Sequence, residues 1–510
     1  MVQFPLFTPQ TEWVMPDGYP NLSEAKEVSI DLETYDPHLL SHGSGWARND
    51  GYIIGIAVAV EGKAWYFPIR HQNGSNLDAK QTLKWLKNIC SVPRDYIMHN
   101  AMYDLGWLWA EGITVQGRII DTMIVSACLD ENRFSYSLNN VGRDYLGERK
   151  SERLLQEAAK EFGVNPKNEM YKLPAHFVGT YAEQDADLTL RLWQHFKPLI
   201  VKEDIGDLFD LETNVLRSVF EMRKRGVRVD LERAEKLKVY LEKQEKEILQ
   251  SVKGEDINIW EANSIAKAFD IKGLRYPKTP KSGAPSFTKN FLANHEDPLP
   301  KAVVRARELN KARTTFIDTI LKHQHKGRIH AEAHSLRSDE GGTVTGRFSY
   351  SNPNLQQVPA RNAEIGPMIR GLFLPEEGEV WGAFDYSSQE PRLVVHYASL
   401  LKLTGAEQFA EQYNTDVRTD FHQMAADIVG VPRKQAKDIN LGLFYGMGKN
   451  KLAEQLGLEF DDAKELFAEY HSKVPFVQQL AEYATQRASK KGSIRTLLGR
   501  KCRFDKWEPN

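Results

Sequence analysis

Hydrophobic and polar positions in the first 200 residues alternate between strand-like and helix-like spacing. VSIDLETYD (residues 28–36) reads as a strand that ends in acids, and GYIIGIAVAVEG and KAWYFPI as two more, joined by a turn at Glu61 and Gly62. Helical spacing follows over residues 83–89 and 104–111, and again near 178–200, which predicts an α/β domain ending near residue 200. Two long helical patterns come next, residues 208–226 and 231–252, with Gly226 placed to end the first as a glycine just past a helix does. PKTPKSGAPSFT (277–288) reads as a loop, and a basic helix is expected over 301–323. Strand-like segments return at 328–336 and 379–385, and residues 390–490 read as mostly helical. No internal repeat is visible.

Composition narrows the class. At 510 residues, 41% hydrophobic and 27% charged, the chain is too long for one core, and three or four domains are expected. Its longest clean apolar run, residues 53–60, is far shorter than a membrane span, and the first residues, MVQFPLFTPQ, lack the pattern of a signal peptide. Three scattered cysteines, Cys90, Cys128 and Cys502, point to a reducing compartment and against a zinc cluster. A net charge of −2 argues mildly against a nucleic-acid protein, although a cleft can confine positive charge. RYPKTPK (275–281) and KAVVRARELNKAR (301–313) are locally basic; each alone reads as a solvated face, or as phosphate contacts if the context supports it.

The acids carry the chemistry. Asp31 and Glu33, two apart on a strand, point to one face. Asn100 and Asp104 (NAMYD), and Tyr181 and Asp185 (YAEQD), sit at helical i, i+4 spacing. Four carboxylates without histidine or cysteine suit hard cations such as Mg²⁺ or Mn²⁺. Two such ions about 3.5–4 Å apart can clamp the oxygens of a phosphoryl displacement. Any one pair alone reads as surface chemistry or a helix cap. The ordered set DxE, NxxxD, YxxxD resembles the 3′→5′ exonucleases of the DnaQ type, whose fold is RNase H-like. The resemblance implies that Asp31, Glu33, Asp104 and Asp185 hold metals and that Tyr181 helps position the attacking water.

A second constellation lies further on. EVWGAFDYSSQEPRLVVH (379–396) predicts an apolar strand running into Asp385 and then a helix with Pro391 near its start. In PRKQAKDINLGLFYGM (432–447), Arg433, Lys437, Leu441 and Tyr445 form a stripe at four-residue steps. Gly442 and Gly446 each need a reason inside a helix, where glycine costs about 1 kcal/mol. TVTGRFSYSNPNLQQVPARNAEIGPMIRGLF (343–373) is rich in groups that can reach DNA backbone or minor-groove acceptors. In this order the three segments resemble family A DNA polymerases, of the bacterial polymerase I large-fragment and phage types. The resemblance implies that Asp385 binds both metals and that Glu390, beside Tyr386, excludes ribonucleotides. It likewise implies that His422, Arg433 and Lys437 contact the triphosphate, that Leu441 faces the sugar and that Tyr445 lies near the templating base. Arg347, Asn354, Gln356 and Arg500 would contact primer–template DNA, and the basic 270–313 region would be the thumb.

The expected organisation is a multidomain α/β chain: an RNase H-like exonuclease at 1–200, thumb and connecting helices at 201–335, the N-terminal part of the palm at 336–420 and fingers at 421–510. Two Mg²⁺ per active site (or Mn²⁺), primer–template DNA and dNTPs are the implied cofactors and partners, in the cytoplasm and without a membrane. Three departures stand out. Leu441 replaces a common Phe or Tyr, which predicts altered discrimination against dideoxynucleotides. Gln389 and Pro391 replace aliphatic neighbours of Glu390. The family's His-Asp-Glu hairpin, with the second metal aspartate, has no counterpart: His295-Glu296-Asp297 lies in a polar loop, and Ser338-Asp339-Glu340 lacks apolar flanking strands. Two expectations follow: a truncated polymerase, or half of a split polymerase whose palm is completed by a second polypeptide. The rivals are a standalone exonuclease with a DNA-holding module and a non-catalytic DNA-binding subunit; the full set of acids with Tyr181 argues against the last.

Overall fold

The computed structural model describes residues 10–251, 257–279, 281–339, 341–360 and 362–504, apart from the side chains of Ile428 and Val429; Pro280 and Glu340 lie outside these ranges. The chain divides into two compact units, Met1–Val380 and Trp381–Asn510.

The first unit begins with a five-stranded sheet of β1 (Glu27–Tyr35), β2 (Tyr52–Val60), β3 (Lys63–Pro68), β4 (Arg94–Met98) and β5 (Gly117–Asp121), in the order β3-β2-β1-β4-β5. β2 is antiparallel to β1 and β3, whereas β4 and β5 extend the sheet in parallel. This is the mixed sheet that the RNase H-like reading expects. YIIGIAVAV in β2 is apolar on both faces because both faces are covered, and seven consecutive residues of it are buried. Gly62, at φ 75°, makes the tight β2–β3 turn that a side chain would resist.

α1 (Ala101–Ala110) follows β4, α2 (Leu138–Leu146) comes after β5, and the long α3 (Gly179–Lys202) packs on β1, β2 and β3 and, through buried Leu188 and Phe196, against Gly142 and Tyr145 of α2. Glu183 pins the rotation of α3: its Oε1 accepts from the Tyr66 amide of β3 at 3.0 Å and from the Trp13 indole at 2.8 Å. α4 (Gly206–Arg225) ends at Gly226 as expected. At φ 64° a Cβ there would also meet the His330 ring at 2.8 Å. α5 (Leu231–Ser251) packs against α6 (Pro298–Lys311), which continues through a π turn at Ala312–Ile317 into Asp318–His323. Their shared core includes Leu241, Leu309, Ile317 and Ile369.

Much of the basic helix's charge is already engaged. Arg305 pairs with Glu364, Arg313 lies 3.6 Å from Glu245, and Arg307 donates to the Ile259 carbonyl at 2.6 Å. The strand expected over 328–336 is broken in two: Arg328–Ile329 joins Val227–Val229, and Glu332–His334 pairs with Ser349–Ser351.

The second unit is helical, with α7 (Gln389–Leu400), α8 (Phe421–Val429), α9 (Arg433–Phe444), α10 (Phe460–Lys473) and α11 (Pro475–Lys491) around Val395, Phe409, Phe421, Ile439, Leu443 and Phe476. A hairpin of Ser493–Arg495 and Lys501–Arg503 comes after α11. The strand expected over 379–385 is absent. Residues 379–386 are irregular and exposed, with Val380 at 88% and Phe384 at 98% accessibility. Backbone groups form a strand only against a neighbouring strand, and no described β-ladder includes this segment. No described helix is long and apolar enough to cross a membrane.

Within the first unit one buried ion pair ties the sheet domain to the strand Glu332–His334. Arg223 of α4 meets Glu332 at 2.6 Å, and Glu332 also accepts from the Ser44 amide at 3.0 Å and from Asn352 at 2.8 Å. Burial raises the Glu332 pKa, but Arg223 and these donors outweigh it and hold the carboxyl below its usual value. A depressed carboxyl pKa stabilises the fold above the unfolded-state value and loses that contribution as pH falls through the folded value. Glu332→Ala, which takes the carboxylate from buried Arg223, should therefore cost about 3–5 kcal/mol in denaturant unfolding at neutral pH. The difference should shrink as pH falls below the ordinary glutamate range; a difference undiminished in acid would sink the assignment.

Candidate active sites

β1 carries Asp31 and Glu33 on the face turned to α3. A β-bulge between Glu33 and Thr34 shifts the β1–β2 register just beyond them. From α3, Tyr181 and Asp185 face the same place, one turn apart. Carboxylate oxygens of Asp31, Glu33 and Asp185 come within 4.8 Å of one another.

Asp104 completes the predicted quartet differently. β1 pairs with β4 only over Glu27–Ser29, so the Leu32 amide has no strand partner on that side, and Asp104 Oδ1 accepts from it at 3.1 Å. Asp104 thus lies beside Asp31 with one oxygen committed to the backbone. Asn100 departs from the expected shared helix face: it precedes α1 in a left-handed conformation, φ 65°. The reason is Asp121 at the end of β5, which accepts from the Asn100 and Ala101 amides at 3.1 and 2.8 Å and so fixes the start of α1.

The acids are uncomfortable together. Burial, then Asp185, pushes Asp31 up to about 7. Burial, then Asp31 and Asp185, holds Glu33 well above its usual range. Asp104 is raised by burial and then by Asp31. Asp185 is raised by burial, although Lys150 and Tyr181 oppose the shift. The Tyr181 phenol is raised far enough by burial and by these acids to keep its proton at neutral pH. The donor set fits a divalent cation: three hard oxygens converge, and Asp185 Oδ1 is buried with no protein hydrogen bond.

Sequence reasoning missed Lys150. Its Nζ donates to the Tyr181 hydroxyl at 2.7 Å and to Asp185 Oδ2 at 2.9 Å. No spacing rule signals it, because it lies in a charged loop, ERKSE, that reads as solvated surface.

The residues of the second constellation fall in both units. In the first, Arg347 lies in an exposed turn whose carbonyl accepts from Thr343. Asn354 caps the turn at Gln356, and Gln356 donates to the Phe348 carbonyl at 3.0 Å. In the second, Asp385 and Tyr386 lie in the exposed 379–386 segment, and the Tyr445 hydroxyl donates to Glu390 at 2.6 Å. Along α9 the predicted stripe faces outward: Arg433 and Lys437 are exposed and Leu441 half-buried, above buried Ala436, Ile439 and Leu443. Arg433 donates to Asp420 at 2.7 Å. Gly446 has a local reason, being left-handed at φ 77°, whereas a Cβ on Gly442 would meet only the flexible end of Met447, at 2.3 Å. Arg500 sits in the hairpin turn, its amide bonded to Thr496.

His422 is held by a relay. Tyr470 donates to Asn440 Oδ1 at 2.7 Å, so the Asn440 amide group faces His422 Nδ1 at 3.0 Å as donor. That network leaves the ring proton on Nε2. Burial lowers the His422 pKa, so the ring is a neutral donor.

Two protein families match successive parts of the chain. The family described as DNA polymerase family A matches residues 230–509, and that described as 3'-5' exonuclease matches residues 11–201. The chain is 37% identical to a DNA-directed DNA polymerase of Pseudomonas phage M6, covering 99% of this chain and 85% of that one. It is 30% identical to DNA polymerase DpoZ of Acinetobacter phage SH-Ab 15497, with coverage of 96% and 83%. It is 28% identical to DNA polymerase I of Pseudomonas aeruginosa, of which it spans 53%. Among solved structures, the POL domain of Pol1 from M. smegmatis, in complex with DNA primer-template and dNTP, superposes with a TM-score of 0.73 at 21% identity, over 94% of this chain and 78% of that one. The chain belongs to DNA polymerase family A: it is a DNA-directed DNA polymerase of the phage type with a 3′→5′ exonuclease domain in its N-terminal part.

Proposed function

We propose that the exonuclease reaction runs at Asp31, Glu33, Asp104, Tyr181 and Asp185, and that the polymerase reaction draws on Asp385 with the outward face of α9. The convergence of three carboxylates on one point, with Asp185 Oδ1 left open, carries the first part. Asp31, Glu33 and Asp185, with Asp104 alongside, would hold Mg²⁺, two ions per site. When bound, such ions lower the pKa of a water and take up the charge that builds on the scissile phosphate. The protonated Tyr181 phenol orients that water, and Asp104 keeps Asp31 and Glu33 in register through the Leu32 amide between them.

On the polymerase side, Arg433 and Lys437 offer positive charge to a triphosphate, and His422 offers a neutral N–H donor. Glu390, held by Tyr445, stands at the sugar with Leu441. Arg347, Asn354, Gln356 and Arg500 meet primer–template DNA. Asp385 belongs to no cluster of three or more ligating groups among the described residues, and the apolar segment around it joins none of the described sheets. We infer that a pairing strand and a second carboxylate come from outside the described residues. The setting is DNA replication in a bacterial cytoplasm, with primer–template DNA and dNTPs as substrates.

A 5′-labelled primer–template incubated with Mg²⁺ and four dNTPs separates the activities. The primer should shorten with these 510 residues alone and lengthen only when a segment carrying the second carboxylate is supplied. Asp31→Ala should abolish shortening while DNA binding persists; lengthening by the chain alone would overturn the inference about Asp385. The carboxylate repulsion gives an independent check. Raised carboxyl pKa values destabilise the cation-free fold as pH rises from about 4 towards the Asp31 value of about 7. Asp31→Asn should therefore raise the melting temperature of cation-free protein at pH 8 more than at pH 5, and should reduce the stabilisation gained from added Mg²⁺. A substitution that destabilises at both pH values would contradict this account.

A further inference from the structure

The loop between α2 and the helix Arg153–Phe162 is tied down at every second residue or closer. Gly147, at φ 72°, ends α2. Glu148 then accepts from Arg191 of α3 at 2.7 Å, the Lys150 amide donates to Asn139 at 3.0 Å, and the Ser151 amide donates to Gln184 of α3 at 2.7 Å. Asn139 also donates to Glu152 at 3.1 Å. These bonds deliver one side chain into the exonuclease site. Lys150 is mostly buried, with 14% of its side chain exposed, and its ammonium touches Tyr181 and Asp185 together.

The chemistry of the two contacts differs. Towards Asp185, Lys150 takes Oδ2 and leaves Oδ1, so it fixes the carboxylate without blocking the oxygen a cation would use. Towards Tyr181, the ammonium can only donate, so the phenol oxygen accepts and its own O–H is directed to a different acceptor. The ammonium also lies 4.4 Å from the Tyr181 ring centroid. A cation needed only to soften acid repulsion would have no reason to grip the phenol.

We propose that Lys150 is a positioning residue of the exonuclease: it sets the phenol of Tyr181 and the carboxylate of Asp185 in the orientation that hydrolysis needs. This rests on the reading of the acidic cluster as the exonuclease site. Burial works against the charge on Lys150, but Asp185, Asp31 and Glu33 together outweigh it, so the group stays an ammonium.

The test uses the full chain, a single-stranded DNA with a 3′ end, and two readouts of opposite sign. Lys150→Met should slow single-turnover hydrolysis about 10- to 100-fold, the cost of a misplaced group, with DNA affinity in Ca²⁺ unchanged. The same substitution removes a positive charge beside Asp185, so Mn²⁺ should bind several-fold more tightly. Lys150→Arg should recover part of the rate. In a Tyr181→Phe background Lys150→Met should cost less than it does alone, because the two act as a unit. A rate equal to wild type, full additivity with Tyr181→Phe, or weaker Mn²⁺ binding would each overturn the proposal; the last would mean that the loop merely collapsed. If the unsubstituted chain does not hydrolyse DNA, the reading of the cluster fails, and the Mn²⁺ comparison alone decides whether Lys150 sits against its ligands.

Discussion

Like charge held in a confined space is the constraint around which the N-terminal domain is arranged. Asp31, Glu33 and Asp185 converge within 4.8 Å, with Asp104 next to Asp31, in surroundings that disfavour ionised carboxyls. Such a group is unstable by itself and persists because its supports are stronger than its repulsion. Those supports can be named. β1 is clamped between β2 and β4. The Leu32 amide is taken by Asp104, the start of α1 by Asp121, and the rotation of α3 by Glu183. The last three each use a polar side chain to satisfy a backbone donor, which is cheap in stability and exact in placement.

The second unit works by the opposite principle. Its candidate residues are mostly exposed and carry little strain: Arg433 rests on Asp420 and Tyr445 on Glu390. Only His422 is buried, and it is held by the Tyr470–Asn440 relay that fixes its proton. A preorganised acid nest suits hydrolysis, where the substrate end is brought to fixed groups. An outward-facing cationic stripe suits a surface that must close on a ligand, exchanging internal ion pairs for phosphate contacts.

Much of this was legible in the sequence, for reasons that can be stated residue by residue. The pairs Asp31/Glu33 and Tyr181/Asp185 follow from the local periods of strand and helix, which tertiary structure rarely alters. Gly226 and the Glu61–Gly62 turn were equally plain, since only glycine accepts those angles cheaply. Asn100 was misread because its conformation is set by Asp121, twenty-one residues away, not by its own helix. Lys150 was invisible for the same reason: its partners lie on α3, and its own neighbours spell a surface loop.

The segment 379–386 shows where local reading ends. Its apolar pattern is that of a buried strand, yet burial is a property of a pair, and the pattern specifies only half of it. Val380 and Phe384 are almost fully exposed and Trp381 is partly so, while Asp385 lies at the end of the same segment. An exposed apolar edge is costly in water and prone to unwanted pairing. Its retention beside a candidate metal aspartate is explained if one pairing event both covers the apolar residues and brings the second carboxylate to Asp385. Folding of the palm and assembly of its catalytic centre would then be a single step.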